Sequence, residues 1–239
     1  SVEKRNIQMV PFQNPDIYIG ALKIQEPITV LTDMLVAGVC VFAFIKTKTK
    51  QSTKGIQLYR WFFLTTGIST LVSAIIGHAF LYQWGFSAKI YGWVTGIVSV
   101  AFGQYAALYH TKETIGEKIF NILFWVNAFE ICLALVLVFI VFKFEVVEVH
   151  SAVGLICSVT LLEYINYKRT KSVLSKYMMI GVGIAVLAVL CHVFKLAISV
   201  WFNHMDLSHI IIALSVYTMY KGVHDFIKSN NIISQTTNN

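Results

Sequence analysis

Charge is scarce in this chain, and so are the residues that punctuate soluble folds. Only 13% of the 239 residues are Asp, Glu, Lys or Arg, against 56% hydrophobic, and the mean hydropathy is +0.67, which excludes an ordinary water-soluble domain. The four cysteines, Cys40, Cys132, Cys157 and Cys191, fall singly in four apolar runs. With no C-x-x-C spacing they make neither a disulfide framework nor a zinc ribbon, and read as small buried hydrophobes. There is no glycine-rich phosphate loop, no G-x-S-x-G, no H-E-x-x-H and no solenoid repeat, so the soluble-enzyme motifs are absent. The first 25 residues hold Pro11, Pro15 and Asp16 and lack an apolar core, so no cleavable signal peptide is expected there.

What is present is apolar length. Runs near 28–45, 58–81, 90–109, 119–142, 149–167, 177–201 and 207–223 each approach the roughly 20 residues that a spanning helix needs. They are continuously apolar, without the two-residue alternation of a membrane barrel strand. The fold class expected is therefore all-α, an integral membrane bundle of seven transmembrane helices over residues 27–228, between a polar segment 1–26 and a polar tail 229–239. Pro27 suits the first turn of helix 1. Gly92-x-x-x-Gly96 and Gly181-x-x-x-Ala185 put small residues on one face, where neighbouring helices can approach closely.

The net charge of +7 would suit nucleic acid if it were clustered, but it follows the loops. Thirteen of the 19 basic residues, from Lys46 and Lys48 through Arg169 to Lys228, lie on the side reached by helix 1, here called side B. By the positive-inside bias, side B faces the cytoplasm, and side A, with the N-terminus, faces outside or a lumen. The expected partners are membrane lipids and other membrane subunits, with no nucleic acid.

Ionisable groups inside membrane helices are costly, and each is a candidate site. Asp33 in helix 1, His78 near the end of helix 2, His150, His192, and the group His204, Asp206 and His209 opening helix 7 all fall at side A. Asp206 and His209 are three apart and share a helix face. Zinc needs three such ligands and an open position if it is to activate water. His78, Asp206 and His209 meet that count, with Asp33 as general base, and His192 and His204 as an additional polar site. Lys195 is read as a helix 6 cation, and His192 as lying two turns deeper than that helix's end. Glu130, mid-way along helix 4, stands apart as protonated, paired with Lys195 or part of an ion path. His110 and His224 read as exposed side B residues.

These residues also resemble a known group. "SAIIGH", ending at His78, and "HMDLSHIIIALSVY", opening helix 7, with an acidic residue in helix 1, are similar to the superfamily of alkaline ceramidases and progestin/adiponectin-type receptors. The resemblance implies seven passes, zinc held by one histidine of helix 2 and two of helix 7, and hydrolysis of lipid amides. His78 and His209 match that pattern by position. Ala74 stands where the pattern has serine, Met205 where it has a second histidine, and Tyr91–Tyr109 carries no acid. The function expected is a zinc-dependent hydrolase of a lipid amide or ester. The alternatives are a non-enzymatic accessory subunit of a membrane complex and an ion or proton carrier using Glu130 and Glu163.

Overall fold

A computed structural model of the chain describes residues 14–50 and 52–236, with side chains of the last helix through Asn231. Lys4, Arg5 and Pro11 of the polar N-terminal segment, and the end of the C-terminal tail, lie outside the described residues. The described chain runs β1 (Ile17–Ile19), β2 (Leu22–Ile24), α1 (Pro27–Lys46), α2 (Lys54–Ala79), α3 (Lys89–His110), α4 (Glu117–Val141), α5 (Glu145–Thr170), α6 (Val173–Val193) and α7 (His204–Thr236). Six of these helices, all but α3, are long and apolar enough to cross a membrane. The 22-residue α3 differs because Gly92, Gly96, Gly103 and Gln104 dilute its apolar content.

Small residues set the packing of consecutive helices. A side chain added at Gly55 would meet His110, at Gly67 Cys40, at Gly92 Ser73, and at Gly103 Phe62, so α2 runs antiparallel to α1 and α3 at near backbone contact. Gly181 and Gly222 meet Met219 and Tyr177 in the same way, which joins α6 to α7. The main core, with Tyr59, Phe63, Leu108, Leu174 and Met178, lies toward side B. Elsewhere large apolar side chains face outward, including Trp125, Phe129 and Ile140 on α4, the reverse of a water-soluble surface.

Within the polar N-terminal segment Ile17 to Ile24 forms a β-hairpin with a two-residue turn, Gly20 at φ +62, where tight hairpins need a left-handed residue. Its Lys23 ammonium lies 2.6 Å from the Asp16 carboxylate, which raises the lysine pKa. Helix α6 stops at Val193, and Lys195, at φ +50, belongs to the loop that follows. This loop is apolar, with Phe194, Ile198 and Trp201 exposed, which is why it reads as helix in sequence. His192 is therefore in the last turn of α6, not two turns below it. Helix α7 continues to Thr236, into what reads as a polar tail. Finally, Cys132 and Cys157 are exposed on the outward faces of α4 and α5, and only Cys40 is fully buried.

One glycine on α7 and one on α6 test this packing. Gly222→Ala would place a methyl 2.5 Å from Tyr177 Cβ and is expected to cost about 1–3 kcal/mol by overpacking. Gly183→Ala has open space around it and is expected to be neutral or to stabilise by up to about 1 kcal/mol through helix propensity. Unfolding in detergent, followed by helical signal, measures both.

Candidate functional site

At side A the helices surround a cavity of about 970 Å³ whose wall is mostly apolar. Its polar members include Asp33 of α1, His78 of α2, His209 and Ser208 of α7, and Glu148 and His192 at the rim. Two stretches of wider π-helix border it, Ser73–Ala79 ending α2 and Ala152–Thr160 within α5. Such insertions turn side chains off the regular helical face and recur at functional sites.

His78 is held from the N-terminal strap. Gln25 N–H donates to Ala79 O at 3.1 Å, Tyr82 N–H donates to Gln25 Oε1 at 2.9 Å, and Glu26, at φ +46, turns its carboxylate onto His78 Nδ1. The carboxylate accepts, so Nδ1 carries the hydrogen and the other ring nitrogen, Nε2, is bare in the neutral imidazole. That nitrogen lies 3.8 Å from Asp33 Oδ2.

His209 repeats the arrangement from the other side. Thr32 Oγ1 lies 3.0 Å from Thr29 O and 3.2 Å from His209 Nδ1, and with its hydrogen on Thr29 O it accepts from Nδ1. His209 Nε2 is then bare as well, 3.5 Å from Asp33 Oδ1. Asp33 is 2% exposed, and its Oδ2 has no hydrogen-bond partner among the described residues. With both rings neutral and the hydrogens on Nδ1, two imidazole lone pairs face the two oxygens of one buried carboxylate. A proton or a cation is what this group lacks.

Asp206 is placed elsewhere, a correction to the ligand set read from the sequence. Its Oδ1 accepts from Thr29 Oγ1 at 2.7 Å, and its Oδ2 from Asn14 Nδ2 at 3.1 Å and from the Asn203 backbone N–H at 2.7 Å. Asn203 Oδ1 in turn accepts from Met205 and Asp206 N–H. This is a reciprocal capping box at the start of α7, and its signal, N-x-x-D before an apolar run, is visible in the sequence. Asp33, His78 and His209 are brought together; His192 and His204, with ring centroids 5.1 Å apart, sit at the rim, where His192 Nε2 is 3.7 Å from Glu148 Oε1. Among the described residues no group of three or more His, Cys, Asp or Glu is placed so that it could hold a metal ion.

Glu130 is paired neither with Lys195 nor with the cavity. His150 Nδ1 lies 2.7 Å from Glu130 Oε1, and Gln104 donates to Oε2 at 3.1 Å. Nor is His110 an exposed surface histidine. It lies 3.0 Å from buried Glu163, which also accepts from Tyr59 Oη and Ser175 Oγ at 2.6 Å. Sequence reasoning missed Glu26, Thr32 and Glu148. Glu26 had one signal: an acid directly before Pro27, at the membrane level of His78.

If Asp206 is a cap and not a ligand, its loss acts through folding. Asp206→Ala leaves the Asn203 N–H without its acceptor and takes one of two acceptors from Thr29 Oγ1 and Asn14 Nδ2, and is expected to cost about 2–4 kcal/mol, the sum of more than one buried hydrogen bond. The loss should be the same with and without chelator in unfolding measurements. A chelator-dependent loss would return Asp206 to the ligand set.

The chain matches no curated protein and no solved structure. Residues 28–228 match one family, described as a family of unknown function (DUF6962). That span takes in all seven long helices almost to the end of α7, with Asp33, His78 and His209, and the chain belongs to that family.

Proposed function

We propose that the chain is a seven-span membrane hydrolase acting on a lipid amide or ester, with Asp33, His78 and His209 as its centre. The observation that carries this reading is the approach of His78 Nε2 and His209 Nε2 to the buried carboxylate of Asp33, whose Oδ2 has no hydrogen-bond partner among the described residues, at the polar end of an apolar cavity. In this reading α3 is the seventh span: it is 22 residues long, and its glycines and Gln104 face neighbouring helices.

The donor types suit zinc. Two imidazoles and a carboxylate are ordinary zinc ligands, and bonds of about 2.0–2.2 Å at tetrahedral angles separate ligand atoms by roughly 3.4 Å. The nitrogen-to-oxygen distances here, 3.5 and 3.8 Å, would have to contract on binding, since as placed the three groups do not form a metal site. His78, His209 and Asp33 would hold the ion, so Asp33 takes the third ligand place in this proposal. Zinc there would supply carbonyl polarisation and an activated water near neutral pH. Glu26 and Thr32 fix each ring so that the correct nitrogen faces inward. The apolar wall, with Ile156, Val189 and Leu190 lining the cavity and exposed, takes the hydrocarbon of the substrate. A lipid can thus enter from the bilayer, between α5 and α6.

Two experiments test this. For orientation, cysteines introduced at Ser52 and Ser172 should react with impermeant reagents from the cytoplasmic side and one at Ser87 from the opposite side; labelling of Ser52 and Ser87 from one side would remove the odd number of spans. For chemistry, the purified chain should carry stoichiometric zinc by metal analysis and hydrolyse a member of a lipid amide and ester panel. His78→Ala and His209→Ala should lose the metal and the turnover together. A folded, metal-free wild-type protein that stays metal-free when offered zinc would sink the proposal.

A further inference from the structure

A second polar arrangement lies outside the cavity. Between α4 and α5, toward side B, runs an outer groove of about 350 Å³ with an apolar lining that includes Ile119, Leu123, Leu161 and Ile165. Two polar groups mark its ends. Arg169 stands exposed at the side B mouth, with one guanidinium nitrogen donating to Thr114 O at 2.6 Å. At the inner end is Asn127, 5% exposed, whose Nδ2 has no partner, while Ser158 Oγ donates to its Oδ1 at 3.4 Å. Whichever way the amide is turned, Ser158 satisfies only one of its two polar ends. An unsatisfied amide in an apolar setting costs a few kcal/mol, so something with a hydrogen-bonding oxygen belongs there.

The spacing defines what. Ser158, beside Asn127, and Arg169 are eleven residues apart on α5, about 16 Å at helical rise. Arginine at the cytoplasmic interface is suited to a carboxylate or phosphate. A plain phospholipid would pair its headgroup with Arg169 but leave Asn127 facing methylenes.

We propose that this groove binds an anionic amphiphile bearing a hydroxyl in mid-chain, with its charged head at Arg169 and its hydroxyl at Asn127. A hydroxyl both donates and accepts, so it serves either orientation of the amide. The groove shares no lining residue with the side A cavity.

Cys157 lines the groove and is exposed, so its alkylation reports occupancy, and Cys132, also exposed but outside the groove, is the internal control. The full chain, in nanodiscs of neutral lipid, is titrated with 12-hydroxystearate and with stearate, and alkylation is read by peptide mass. 12-Hydroxystearate should protect Cys157 at roughly tenfold lower concentration than stearate, as one buried hydrogen bond would give, with Cys132 unaffected. Asn127→Leu should abolish that preference, and Arg169→Gln should weaken both acids equally. Ile165→Trp, which fills the groove without altering either polar group, should remove protection altogether. Equal protection by the two acids, protection of neither, a preference that survives Asn127→Leu, or protection that persists in Ile165→Trp would each overturn the proposal.

Discussion

The buried carboxylate of Asp206 is the junction on which the side A half of the molecule depends. It is 0% exposed and joins three chain segments, through Asn14 ahead of the hairpin, Thr29 in the first turn of α1, and Asn203 at the start of α7. A carboxylate so placed is tolerated because each oxygen accepts strong hydrogen bonds. By fixing where α1 and α7 begin, it also fixes where Asp33 and His209 sit, one turn deeper on each helix. The residue acts on the candidate centre through position, not through contact.

The centre itself follows from hydrogen-bond arithmetic. Glu26 and Thr32 each occupy the Nδ1 of one histidine, and each thereby commits the opposite nitrogen to the same carboxylate. Were the rings free to turn, Asp33 could take an N–H from either and the cluster would be an ordinary polar network. Because both are pinned, the three groups share a deficit of positive charge. The left-handed backbone of Glu26 belongs to the same device, since a non-glycine residue at φ +46 is held there only by its surroundings.

Packing explains why there is a cavity at all. The tight small-residue contacts of α2 with α3 and of α6 with α7 close the bundle toward side B, where Tyr59, Glu163, His110 and Ser175 fill the interior with a satisfied polar cluster. Toward side A the same helices carry π-helical stretches in α2 and α5. The extra residue per turn there displaces side chains from the regular face, and the space left is apolar-walled with one polar end.

Apolar run length by itself determined the helical class, the approximate place of all seven long helices, and the gathering of Asp33, His78 and His209 at one end. These are one-dimensional properties: span length sets helix length, and alternating direction converts sequence position into depth. It misread α6 beyond Val193, because an exposed apolar loop and an apolar helix have the same composition. Only the tertiary structure decided which oxygen each histidine faces, that Asp206 caps α7 instead of joining His209, and that His110 packs against buried Glu163. Residues three apart share a helix face, but which neighbour they meet depends on helix rotation. Rotation is set here by glycine contacts between helices and by the N-terminal strap, which bring together residues more than a hundred positions apart.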